Sequence, residues 1–513
     1  MKKRTNCYDS PVFSDENQDE GRSSDAGGCR QTLEKREGRA EPTCSDFRRL
    51  SSVVVIGAHS PPRLLQYFFS SLPPAFYFNI TTAKFLGEDE QERFLQVDDS
   101  EPFLPIIGKD FVAAVLVVCA TRPEALRNHL TQLLAKRPSA SQFPVVISQD
   151  GETHSVHQVA SKFISSFKNV TFMRHKQEKI LKAKKRNNYA AIAKHYKWAL
   201  DRMFKKFGFN YVIITEDDLD IGNDFFSYFE WAKRVLQTDP TLWCASAWND
   251  NGLPKLIDEN QGDRIWRTDF FPGLGWMLSA ETWNELSDKW PGQYWDDWMR
   301  QQDIRKNRSC IRPEICRTAH NMRLAGKGSS GGMFKSYLSS ISAAHTSTEF
   351  SLIPVQKMVA DQYNKNFVQL IQNAKLVDIE KIATYSWEKS YEYRVPFNSV
   401  REWHKLATHF GLMPDIRGGM QRTSYHGVVS LMHNGCRIYI VPFQISENAT
   451  LFDEFHYDPN WDKKFRFLEF EKAFCKPGKF TGTCDPKNPE LIAWFKKKSW
   501  QKRLAEWGDM IVN

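Results

Sequence analysis

The chain has 513 residues, enough for roughly two to four ordinary domains, and its 41% hydrophobic and 26% charged residues are the composition of a globular protein. The net charge of +9 is mild for this length and no long basic arm is present, which argues against a nucleic-acid partner while leaving room for a small anionic ligand such as a nucleotide. Ten Cys are scattered without a CxxC pair, which argues against a zinc ribbon.

Residues 1–50 mix charges of both signs with Ser and Gly and hold few large apolar side chains, so they are expected to be disordered. Residues 51–110 read as an irregular connector or stalk. The most apolar stretch, 50–78, is interrupted by His59, Arg63 and two Pro pairs, and no uninterrupted apolar run of about 18 residues occurs anywhere. The N-terminal region is the candidate for membrane attachment, without a clean transmembrane anchor.

The folded body is expected to begin near residue 111. "VAAVLVVCA" (112–120) and "FPVVISQDG" (143–151) read as buried strands, each followed by a helical pattern, and "NVTFMRH" as a third strand. A long helix follows, whose apolar stripe runs through Tyr189, Ile192, Ala193, Tyr196, Ala199, Met203 and Phe204. "YVIIT" (211–215) is a fourth strand. Continuous apolar strands alternating with amphipathic helices predict an α/β fold with a largely parallel sheet covered on both faces.

Ligands of such sheets gather at the carboxyl ends of the strands. Arg122 follows the first strand, Asp150 ends the second, and Glu216, Asp217 and Asp218 end the fourth. Like charges repel and are costly to desolvate, so three adjacent acids suggest a site for a hard divalent cation such as Mg²⁺ or Mn²⁺. Neither a GxxxxGK[ST] loop nor a GxGxxG after the first strand is present, which argues against P-loop NTPases and dinucleotide-dependent dehydrogenases. A nucleotide-sugar transferase remains, with a solvated acidic turn as the competing reading. Further on, "YWDDWMR" (294–300) sets two acids among aromatics. Desolvation there would raise a carboxyl pKa, as suits a general base, whereas simple helix capping by one Asp is the plainer alternative.

Residues 350–459 are expected to form a smaller α+β domain, with "SVREWHKLATHFGL" as a helix and "YHGVVSLMHNGCRIYIVPF" as a hairpin turning at "HNG". Residues 460–513 read as a basic, aromatic tail.

Taken in order, "IITEDDL", "LWCASAWNDNG", "RTDFFPGLGW", "YWDDWMR" and "IRPE" resemble the blocks of the N-glycan β-1,2-N-acetylglucosaminyltransferase I family, over about residues 111–460. The resemblance implies a GT-A fold: a Rossmann-like nucleotide-sugar domain (111–324), a mobile loop and linker (325–349) and the smaller C-terminal domain. It implies Mn²⁺ as cofactor, UDP-GlcNAc as donor, inversion at the anomeric carbon and a mannose-terminated N-glycan as acceptor, with the Golgi lumen as location. O-linked mannose on proteins is the alternative acceptor, and a catalytically inactive binding protein the alternative class. Carried over by motif, Asp218 is the metal ligand and Asp296 the general base. Glu216 and Asp217 touch the sugar and ribose, Asp150 and His195 lie at the uracil, Arg122 lies against the nucleotide, and Ser330 contacts phosphate. The resemblance also implies a Cys244–Cys310 disulfide. It leaves Cys119 without its usual partner, since Gly151 stands after "SQD".

Overall fold

The apolar run that opens the folded body forms strand β1, Ala114–Cys119, in the computed structural model, which describes residues 107–176, 188–325 and 335–442, residue 105, and a few positions between 482 and 493. All of these fall in the larger of two units, Leu86–Asn513. The expectations for residues 1–50, for nearly all of the connector and the tail, and for Ser330 concern positions outside those described. Among the described residues no helix is long and apolar enough to cross a membrane.

The βα rhythm read from the sequence is present: β1, α1 (Pro123–Lys136), β2 (Val145–Asp150), α2 (His154–Ser166), β3 (Val170–His175), α3 (Asn188–Asp201) and β4 (Tyr211–Glu216). There follow β5 (Leu219–Ile221), α4 (Phe225–Thr238), β6 (Leu242–Ser246), β7 (Ile265–Thr268), β8 (Trp276–Ser279), α5 (Ala280–Leu286), α6 (Trp295–Met299), β9 (Ser309–Pro313) and β10 (Thr318–His320). Eight strands form one sheet in the order β3-β2-β1-β4-β8-β6-β9-β7. β3, β2, β1 and β4 are mutually parallel, whereas β8 lies antiparallel between β4 and β6.

Because successive strand residues face opposite sides, β1 feeds two cores. Val115, Val117 and Cys119 join one with Leu126, Leu130 and Leu133 of α1, Val156 and Val159 of α2, and the aromatics of α4. Ala114, Leu116 and Val118 join the other with Tyr196, Ala199 and Leu200 of α3 and Trp283 and Leu286 of α5. Cys244 of β6 and Cys310 of β9 stand opposite each other in the ladder and are joined by a disulfide.

The C-terminal part contributes to the first core through α7 (Ala360–Asn373), which buries Tyr363, Phe367 and Ile371 at successive turns. It also builds a second sheet, β11-β12-β16-β15, from Lys375–Leu376, Tyr393–Phe397, Cys436–Pro442 and Val429–His433. The "HNG" turn joins β15 to β16, with Asn434 and Gly435 both at positive φ, as a two-residue primed turn requires. Helix α8 (Val400–Phe410) buries Trp403, Leu406 and Phe410 against this sheet. It starts on Ser399, whose Oγ accepts from the Glu402 N–H, and ends at Gly411 in the left-handed region. A small hairpin of β13 (Ile416–Arg417) and β14 (Met420–Gln421) precedes β15.

Candidate active site

Strand β4 is apolar until its last residue, so its carboxyl end delivers Glu216 and the turn residues Asp217 and Asp218 at the sheet rim. The Asp217 N–H still donates to Val118 O of β1, which fixes where the chain leaves the sheet. Beneath the turn, buried His129 of α1 spans the junction. Its Nδ1 lies 2.6 Å from Leu219 O, which makes it the donor there, and its Nε2 lies 3.0 Å from Thr215 Oγ1. Burial lowers the pKa of this imidazole, consistent with a neutral structural role.

The acids in this stretch fall into two kinds. Asp220 is satisfied by amides, with Asn128, Gln132 and Asn321 all donating to it at 2.6–3.2 Å. Asp217 Oδ2 and Asp218 Oδ1 are buried and have no hydrogen-bond partner. The remaining oxygens of that pair accept from Arg122, whose Nη1 is 2.6 Å from Asp218 Oδ2 and whose Nη2 reaches Asp217 Oδ1. Burial pushes the Asp217 carboxyl up to about 7 despite Arg122, and burial with the neighbouring Asp218 charge pushes Glu216 up to about 7. One guanidinium thus leaves the cluster short of positive charge.

Orphaned buried carboxylate oxygens of this kind fit a hard divalent cation. Among the described residues no group of three or more His, Cys, Asp or Glu could hold a metal by itself. Such an ion would therefore take most of its ligands from substrate phosphate and water, as small hard cations commonly do.

A second group gathers at the ends of β2 and β3. Asp150 accepts from His175 Nδ1 at 2.7 Å, His175 stacks on His195 with centroids 5.5 Å apart, and His195 Nε2 lies 2.8 Å from Ser148 Oγ. Burial lowers the His195 pKa to about 4, so it is a neutral hydrogen-bonding group at physiological pH. The two groups share a rim, because β1 pairs in parallel with β2 on one side and with β4 on the other, so their carboxyl ends lie along one edge.

Asp296 reaches the rim by another route. Tyr196 of α3 donates to Glu216 Oε1 at 2.8 Å, and its ring stacks on Trp295 at 4.4 Å. Trp295 opens α6, and Asp296 follows it. The expectation that "YWDDWMR" buries both acids is corrected: the Asp296 and Asp297 side chains are 44% and 39% exposed. The reason is that α6 is only five residues long and spends its aromatic anchor, Trp295, on the interior. The plainer alternative, one Asp capping a helix, does not hold either: α6 already contains both acids, and Tyr294 stands at its N-cap.

The neighbours differ in surroundings. Asp297 accepts from Arg300 and from Arg417 of β13, and although burial acts upward, these guanidinium groups hold its carboxyl below the usual range. Asp296 has Arg300 Nη1 at 3.0 Å. The β13–β14 hairpin approaches so closely that a Cβ at Gly418, whose φ is +58°, would overlap the Arg300 carbonyl. Gly418→Ala is expected to cost about 2 kcal/mol from the left-handed backbone and the overlap, read as a lower unfolding midpoint.

Arg122, Glu216, Asp217 and Asp218 are thus in one cluster, Asp150 and His195 in a second, and Asp296 is joined to the first through Tyr196 and Trp295. Sequence reasoning missed His129, His175 and Arg300, and treated Tyr196 only as part of an apolar stripe. Its hydroxyl, opposite an acid-ended strand, was the available signal.

An α/β sheet of this topology, with acids at the end of its central strand and a further carboxylate helix beside them, fits a nucleotide-sugar transferase. Residues 92–452 match the GNT-I family, and the chain belongs to that family. It is 37% identical over 326 residues, 63% of this chain and 72% of the relative, to the Arabidopsis thaliana alpha-1,3-mannosyl-glycoprotein 2-beta-N-acetylglucosaminyltransferase. Among solved structures, a Pyrobaculum calidifontis mannosyltransferase in complex with GDP-Man and Mn²⁺ overlaps 48% of this chain and 66% of its own, with TM-score 0.31 and 15% identity. S. aureus TarS 1–349 with UDP overlaps 50% and 72%, with TM-score 0.29 and 12% identity.

Proposed function

We propose that this enzyme transfers N-acetylglucosamine from UDP-GlcNAc, with inversion and in β-1,2 linkage, to the α-1,3-arm mannose of a five-mannose N-glycan, so starting hybrid and complex N-glycan synthesis. Family membership and the name of the Arabidopsis relative support the reaction class and the acceptor. The observation that carries the site assignment is the contrast within the acids after β4: Asp220 is saturated by amides, whereas Asp217 and Asp218 keep buried oxygens without partners. The Cys244–Cys310 disulfide suits an oxidising compartment such as the Golgi lumen.

In this reading Asp150 and His195 receive the uracil edge, Asp217 and Glu216 hold ribose and sugar hydroxyls, and Ser330 contacts phosphate. Asp218 would hold Mn²⁺, which when bound neutralises charge developing on the departing diphosphate. Asp296 removes the proton from the mannose hydroxyl as that oxygen attacks the anomeric carbon from the face opposite the leaving group. Arg300, whose Nη1 lies 3.0 Å from the Asp296 carboxylate, holds it in orientation until the hydroxyl arrives.

The test is incubation with UDP-GlcNAc, Mn²⁺ and a five-mannose N-glycan, which should yield one added sugar. An absence of product from folded protein sinks the reading. Asp218→Ala should leave UDP binding the same with and without Mn²⁺ in calorimetry. A metal-dependent gain in affinity that survives the substitution would remove Asp218 from its role.

A further inference from the structure

Tyr294 precedes α6 with φ +53°, and its side chain is among the few large apolar ones left exposed among the described residues, at 44%. A bulky side chain in the left-handed region is strained, and such strain persists where surrounding structure holds it. What holds it is next door: Trp295 stacks on Tyr196, Trp276 and Trp290. With Trp295 committed to the interior, Tyr294 is left at the surface, where its ring meets Tyr189 of α3 at 4.5 Å. Ile192, also exposed, stands one turn along α3 from Tyr189. The patch is thus aromatic and apolar, and Asp296 lies two residues from Tyr294.

A pyranose ring offers hydroxyls at its edge and a C–H face that is apolar, and the face of a tyrosine ring suits the latter. We propose that Tyr294, backed by Tyr189, is the acceptor platform. The mannose ring, carried on its glycan, lies against Tyr294 so that one hydroxyl is presented to Asp296. The inference rests on the reading of Asp296 as the base. Nothing in it involves the donor, whose groups gather around Asp217, Asp218 and Asp150.

The test is steady-state transfer from UDP-GlcNAc to a five-mannose N-glycan by Tyr294→Ala, Tyr294→Gly and Tyr294→Phe. The Ala and Gly variants are expected to raise the acceptor KM about tenfold or more, the range for losing an apolar contact in a binding site, with the donor KM within about twofold of the parent. The Phe variant keeps the acceptor KM near the parent value. The Gly variant, freed of left-handed strain, should unfold at or above the parent temperature, so lost acceptor binding cannot be put down to lost fold. An acceptor KM unchanged in both small variants overturns the platform, as does a parallel rise in donor and acceptor KM. Failure of the underlying reading has a different signature: Asp296→Asn would retain turnover whatever Tyr294 does.

Discussion

Asp296→Asn is expected to lose transfer by a factor of about 10²–10⁴ in kcat, the usual contribution of a positioned general base, while UDP binding and thermal stability stay near the parent values. The substitution keeps size and shape and removes the negative charge together with the ability to accept a proton. Its side chain is 44% exposed, and its ion pair with Arg300 is of the half-solvated kind worth about 0–1 kcal/mol. Arg300 does not depend on it, since it also donates to Asp297 and to Phe271 O and lies over the Phe270 ring. A variant that folds, binds UDP and still transfers at a tenth of the parent rate or better would take the base role away from Asp296.

Arg317→Ala is expected to destabilise the protein by about 3–5 kcal/mol, the cost of leaving a buried partner charge uncompensated. The Arg317 and Asp224 side chains are 0% and 1% exposed. The guanidinium donates to both Asp224 oxygens and also to Gly262 O, Ile315 O and Thr348 Oγ1. It precedes β10, which pairs with β5 directly after the acid triplet, so the same residue braces the floor of the site. Chemical unfolding measures the loss. The double variant with Asp224→Asn should recover part of it, because the orphaned charge goes too. A loss below about 1 kcal/mol, or strict additivity in the double variant, would contradict this account.

Strands β1 and β4 were legible because each is buried on both faces and therefore apolar along most of its length, as in "VAAVLVVCA" and "YVIIT". The primed turn was legible because Asn434 and Gly435 tolerate positive φ. The position of β8, antiparallel between β4 and β6, was not, because "GWMLS" carries no mark of its neighbours. The acids of the β4 end were visible as a cluster. Their division into a saturated Asp220 and an unsaturated pair was not, since Asn128, Gln132 and Asn321 come from distant parts of the chain. The surroundings of Asp296 and Asp297 were misjudged for a similar reason. Aromatic neighbours in sequence suggest burial, but exposure depends on which ring α6 turns inward, and Arg417 arrives about 120 residues later.

The two-sided burial of β1 and β4 also bears on how faithfully the chain folds. In a strand with one wet face, sliding by one residue throws apolar groups into water and is strongly opposed. Here both faces are apolar, so a slip of β4 against β1 would leave burial almost unchanged along the strand. What opposes it is the end: a one-residue slide would pull Glu216 toward the interior or push Thr215 out of reach of His129. The polar terminus and its histidine clasp therefore act as a stop that sets the pairing. The carboxylates assigned to chemistry also serve as the alignment mark of the central strand, so replacing Glu216 with an apolar residue should raise the yield of misaligned, aggregation-prone chains during refolding.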